Sequence, residues 1–128
     1  MVYHDTEIRV RYPETDPGGF VHHSQYFVYF EIGRTELLRA RGYTYKQMEA
    51  DGLFFVVVKA EVRYIRPAVY DDLLRLRTTV TNITAARIEH EYHLYRGTEL
   101  LTEAKITLCC VDEKGVPQRI PEWLKDLK

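Results

Sequence analysis

The chain is 128 residues long, enough for one domain with a buried core and too short for two. Its 18 Lys and Arg against 19 Asp and Glu leave a formal charge of −1, so no basic field points to nucleic acid or to an anionic membrane surface. The N-terminus is charged from the start and the longest apolar run, residues 53–58, is far below membrane-spanning length, which predicts a cytoplasmic protein without membrane insertion.

The first pattern in the chain is that of a half-buried strand: across residues 5–12, Ile8, Val10 and Tyr12 alternate with Glu7, Arg9 and Arg11. This strand is expected to deliver Tyr12 and then Asp16 to one sheet edge. Asp16 is followed by Pro17, Gly18 and Gly19, which cannot continue a helix or strand and which let the backbone approach a ligand closely. A long helix is predicted over residues 24–41. Its stripe of Tyr26, Phe30, Gly33 and Leu37, joined by Phe27 and Leu38, ends before Gly42. Glycine costs roughly 1 kcal/mol against alanine in mid-helix, so Gly33 is expected to pack its backbone tightly on an enclosing sheet. Thr44 and Gln47 have capping-box spacing and predict a second, short helix that stops by Gly52.

Beyond that point the pattern changes to strands. Residues 53–66 are rich in Phe, Val, Tyr and Ile; 73–84 alternate through Leu74, Leu76, Thr78 and Val80. Residues 87–96 alternate through Ile88, His90, Tyr92 and Leu94, and 100–111 carry Ala104, Ile106, Leu108 and Cys110 on one face. Short connections at 66–72, 82–86 and 96–99 favour antiparallel neighbours. One strand, a long helix and a meander of strands make a single α+β domain over residues 1–128, with the helix lying on an antiparallel sheet. The segment LFFVVV at 53–58 is too apolar for an exposed face and suits burial by a partner. Cys109 and Cys110, the only cysteines, point to opposite faces of a strand and are expected as half-buried apolar side chains in a reducing compartment.

The spacing Y-x-x-x-D-x-G-G-x-V-x-H-x-x-Y-x-x-x-x-E-x-x-R-T-E is filled here by Tyr12, Asp16, Gly18, Gly19, Val21, His23, Tyr26, Glu31, Arg34, Thr35 and Glu36. It resembles the signature of the 4-hydroxybenzoyl-CoA thioesterase-like branch of the hot-dog-fold family, closest to the short-chain acyl-CoA thioesterases associated with the bacterial Tol-Pal system. A weaker match, VRYIRPAVYDDLL at 62–74, resembles the segment after the family's central strand. The resemblance spans nearly the whole chain. It implies a five-stranded antiparallel sheet wrapped around one long central helix, in a homodimer or homotetramer whose sheets join edge to edge. It also implies hydrolysis of a short-chain or aromatic acyl-CoA without metal or redox cofactor, coenzyme A being part of the substrate.

On the same resemblance Asp16 is the catalytic acid. Such a carboxylate attacks the thioester carbonyl directly, giving a mixed anhydride, or takes a proton from an attacking water, and the residues leave that choice open. An aspartate before Pro-Gly-Gly also serves as an ordinary turn residue bonded to its own backbone. His23 is implied as an oxyanion donor through its N–H, with its imidazole in the site, because amides at a helix start lack intrahelical partners and carry partial positive charge. Tyr12 matches a tyrosine beside the catalytic acid. Gly18, Gly19 and Tyr26 are expected to shape the binding site, and Glu31 to be a secondary acid or a partner of Arg34 or Arg63. Arg66 and Arg87, with Lys105 and Arg119, offer cations for the phosphates of coenzyme A. His22 is expected at the surface. His90 and His93 have HxxH spacing, but residues three apart on a strand face opposite sides, so no metal site is expected. Two alternatives stay open: a thioesterase acting on acyl-carrier-protein, and a non-catalytic acyl-CoA-binding or scaffold protein on the same fold.

Overall fold

The computed structural model describes residues 1–127. In chain order the strands and helices are β1 (Tyr3–Arg9), α1 (Gln25–Ala40), α2 (Tyr45–Ala50), β2 (Phe54–Tyr64), β3 (Leu73–Ile83), β4 (Arg87–Arg96), β5 (Glu99–Val111) and α3 (Glu122–Lys125). The strands pair antiparallel in the order β1-β3-β4-β5-β2, forming one sheet wrapped around α1 in the hot-dog arrangement. No helix among the described residues is long and apolar enough to cross a membrane.

Alternation along β3 and β4 is what holds the sheet to the helix. Leu74, Leu76, Thr78, Val80, Ile88, His90, Tyr92 and Leu94 are all buried, while their neighbours in sequence are more exposed. α1 buries Tyr26, Tyr29, Phe30, Gly33, Leu37 and Leu38 against this face. Tyr29 takes the place expected for Phe27, which is 41% exposed, because the buried stripe turns toward the residue one turn beyond Tyr26. Phe30 lies with its ring 4.6 Å from that of Tyr92. Fully buried side chains such as Phe30, Leu76 and Leu94 each contribute about 1.5–3 kcal/mol. The expectation for Gly33 is met: a Cβ there would collide with Thr78 Oγ1 and stand 2.7 Å from Leu76 Cδ2. The helix ends as predicted, with Gly42 at φ +89° just past its last residues. Thr44 then caps α2 by accepting from the Gln47 N–H at 3.1 Å.

β1 departs from the sequence reading. It stops at Arg9, and Tyr12 opens a 3-10 turn (Tyr12–Glu14) whose second residue is Pro13. Proline lacks the N–H that a ladder needs, so Tyr12 leaves the strand, is 74% exposed and packs edge-on to Tyr70. Residues 10–23 therefore do not follow a sheet edge. They lie along the connection between β2 and β3, held by bonds from Asp71 N–H to Val10 O (3.1 Å) and from Val21 N–H to Ala68 O (2.9 Å). Residues 118–127 lie beyond the strands predicted from pattern. Gln118 N–H bonds to Cys110 O, Ile120 N–H bonds to Ala85 O, and Ile120, Leu124 and Leu127 join the core. Both cysteines are buried rather than half-buried, and both are free thiols.

Candidate active site

The turn after β1 builds the acid's surroundings. Gly19 N–H bonds to Asp16 O at 2.9 Å, and Asp16 N–H bonds to Phe20 O at 2.7 Å. Asp16 Oδ1 accepts from the amides of Gly18 (2.9 Å) and Phe20 (3.2 Å). Its Oδ2 has no partner among the described residues. The turn thus engages one oxygen of the carboxylate and leaves the other without a partner there. Gly19 sits at φ +86°, where a side chain would be strained. At Gly18 a Cβ would come within 3.3 Å of Asp16 Oδ1 and 3.4 Å of the Phe20 ring, a tight fit, so the loop is specific to glycine at position 19 and crowded at 18.

The start of α1 lies beside this turn. Ser24 is the N-cap, but its hydroxyl pairs with His22 Nδ1 at 2.8 Å instead of capping the helix. His22 Nδ1 also accepts from Ser24 N–H at 3.2 Å, and His22 O accepts from Gln25 N–H at 2.9 Å. His22 is exposed as expected, yet it organises the helix start. These contacts occupy the amides of Ser24 and Gln25, whereas the His23 N–H has no acceptor among the described residues. Tyr64, at the end of β2, donates its hydroxyl to His23 O at 3.0 Å and fixes that peptide from the other side.

A cleft of about 290 Å³ brings the two parts together, lined by Asp16, Val21, His23 and Tyr26 on one side and by residues 64–67 on the other. Four predicted residues, Asp16, His23, Tyr26 and Arg66, share this cleft, and Gly18 and Gly19 shape its loop. Tyr26 is buried, with its hydroxyl 3.4 Å from the Ala68 amide; burial, first, pushes its pKa up. Arg66 is exposed at the mouth and pairs with Glu99 at 3.3 Å. Tyr12, Glu31 and Arg87 lie outside the walls. Arg87 opens β4 opposite Cys109, at the other end of the sheet from the cleft, where Tyr64 pairs with Thr102. Glu31 is exposed on α1, and Arg63, one partner expected for it, instead pairs with Glu103 at 3.0 Å.

The two histidines of the HxxH spacing separate as expected. His90 is buried, and that burial, together with the charge of Arg34, lowers its pKa to about 3. His93 is on the opposite face, in a charged cleft of about 340 Å³ with Glu91, Glu103 and Lys105. Sequence reasoning missed Tyr64 and Glu14. Tyr64 stood inside the second family-like segment, so a signal existed; Glu14 was one acid among many. Glu14 is 6% exposed, and its carboxylate accepts from Arg11 N–H (2.8 Å), Arg11 Nε (3.0 Å), Tyr29 OH (2.9 Å) and Gln25 Nε2 (3.4 Å). Burial alone would raise its pKa, but the bonds from Arg11 and Tyr29 hold it below the usual carboxylate range.

One cleft lined both by an acid with an oxygen left without a partner and by a residue near a helix start with an open amide offers the groups that acyl transfer uses. The chain belongs to the thioesterase-like superfamily, whose model matches residues 10–127, and it is a thioester hydrolase. It is 38% identical over 120 residues to the acyl-CoA thioesterase YbgC of Haemophilus influenzae, spanning 92% of this chain and 88% of that one. The acyl-CoA thioester hydrolase YbgC of Escherichia coli O157:H7 is 34% identical over 117 residues, 90% of this chain and 87% of the relative. Among solved structures, the DHNA-CoA thioesterase of Staphylococcus aureus superposes with a TM-score of 0.92 at 29% identity, covering 98% of this chain and 86% of that one.

Proposed function

We propose that the protein hydrolyses the thioester of a short-chain or aromatic acyl-CoA, releasing the free acid and CoA, with Asp16 as nucleophile or general base. The observation that carries this reading is that one cleft is lined by both Asp16, whose Oδ2 has no partner among the described residues, and His23, whose N–H has no acceptor among them. Relatives named for acyl-CoA thioester hydrolysis support it. In one route Asp16 takes a proton from water as that water adds to the carbonyl. In the other its carboxylate adds directly, thiolate leaves, and water hydrolyses the resulting anhydride. In both, the carbonyl oxygen gains charge facing the His23 amide, and collapse of the intermediate expels the CoA thiolate. Neither route calls on a metal or redox group. Tyr26 and the glycine loop shape the acyl site, and Arg66 meets a CoA phosphate at the mouth.

The working unit in this reading is a homodimer, or a tetramer of two such dimers, in the cytoplasm. β2 ends the sheet with an unpaired edge, and Val56, Val57 and Val58 on it are 45–52% exposed. Pairing two β2 edges antiparallel about a two-fold axis brings the Arg87 end of one sheet to the cleft end of the other, which gives Arg87 a place near the CoA of the neighbouring site. Tyr12 and Glu31 remain candidates for contacts completed in that assembly. The two free, buried thiols suit a reducing compartment.

The direct test is Asp16→Asn, assayed with a panel of acyl-CoA and aryl-CoA esters and a thiol reagent. Turnover should fall by at least ~10²- to 10⁴-fold, the range of a lost general base, with KM little changed. A folded Asp16→Asn protein with full activity would remove Asp16 from the mechanism.

A further inference from the structure

We propose that Glu14 is a positioning residue for the Asp16–His23 pair, fastening the loop that carries the acid to the helix that presents the amide. It rests on the catalytic reading of those two residues. Glu14 reaches both halves of the site. Its carbonyl accepts from His22 N–H at 2.9 Å, so its main chain is tied one residue before His23. Its side chain crosses to α1, taking the Tyr29 hydroxyl at 2.9 Å and Gln25 Nε2 at 3.4 Å. Arg11 closes the arrangement from the strand side through its amide, its Nε and an ion pair at 3.0 Å.

An acid with 6% exposure is costly unless paired, and this one is satisfied on every side. Glu14 stands two residues before Asp16 in the same loop, so its ties to α1 act directly on the acid's placement. The anchor does set where Asp16 Oδ2 lies relative to the His23 N–H, and a shift of about 1 Å in such a pair costs on the order of 10²-fold in rate.

The test is steady-state kinetics on an acyl-CoA ester that the wild type hydrolyses, at a temperature where circular dichroism shows each variant folded. Glu14→Leu, similar in size but without acceptors, should lower kcat about 10-fold or more with KM within about threefold. Glu14→Gln, which keeps an acceptor for Tyr29, should restore most of that loss. A folded Glu14→Leu enzyme with wild-type kcat, or with a loss confined to KM, overturns the proposal. Where Glu14→Leu does not fold, Tyr29→Phe removes the same tie from the helix side. Its kcat should fall at least about threefold, and an unchanged kcat again overturns the proposal. Asp16→Asn in the same series separates the two ideas. If it retains activity the catalytic reading fails, and if it is inactive while the Glu14 and Tyr29 variants turn over normally, only the anchor fails.

Discussion

Gly33 carries information out of proportion to its size. Alanine is the better helix former by roughly 1 kcal/mol, yet an added Cβ meets Thr78 Oγ1 and Leu76 Cδ2 in a sheet face with no room to yield. Gly33→Ala should therefore destabilise the fold by about 1–3 kcal/mol net, read as a lower urea midpoint at unchanged slope. A variant as stable as wild type would mean that α1 does not rest on β3 as described. At this scale the residues that were legible in sequence are those whose role is local. Asp16, Gly18 and Gly19 make one turn, and His23 lies at a helix start only a few residues on. Tyr64 was not legible as a site residue, because its hydroxyl meets the His23 carbonyl only after β2 has docked from far along the chain. Glu14 was hidden for the same reason: its partner Tyr29 is a turn and a loop away, and nothing in its immediate neighbours marks it as buried.

β2 is the element with most left to bind. A charge on its exposed edge should oppose self-pairing, since an isologous interface takes each substitution into the seam twice. Wild type is expected in light scattering at two or four times the 15.1 kDa of one chain, and Val57→Lys, at a position 52% exposed in the single chain, should shift it toward the monomer. A wild-type mass of one chain with full activity would sink the assembly proposed for the site. Strand positions were legible because alternation has a period that local sequence displays, and β3, β4 and β5 fall within a residue or so of the predicted bounds. The failures have physical causes. Pro13 keeps Tyr12 out of the strand, the exchange of Phe27 for Tyr29 turned on a modest rotation of the buried stripe, and α3, at four residues, is too short to display a period.

For the molecule as a whole, the order of helix and strand patterns indicated an α+β sheet, whereas the curl of the sheet around the helix came from family likeness, because periodicity does not encode how a sheet bends. Burial inside that curl sets the response to acid. His90 has an ordinary pKa of 6.5 and a folded value of about 3, with Arg34 the charged group facing it. Above 6.5 both folded and unfolded forms are neutral; as pH falls from 6.5 toward 3, only the unfolded chain takes up the proton. Stability should thus drop by about 2 kcal/mol between pH 7 and pH 5, well before the carboxylates of Asp5 and Glu14, with pKa values lowered in the fold, begin to lose theirs. Denaturant curves across that range, with His90→Phe removing the slope, provide the check, and a flat wild-type profile would count against it. The place of β2 in the sheet has a consequence for synthesis. Phe54 pairs with Val111 and Tyr64 with Thr102, while Ile65 and Arg66 lean on Leu101, so the strand made early waits for the strand made last. A chain emerging from the ribosome holds its most apolar strand without a neighbour on either side until β5 has been made. Aggregation is the hazard of that interval.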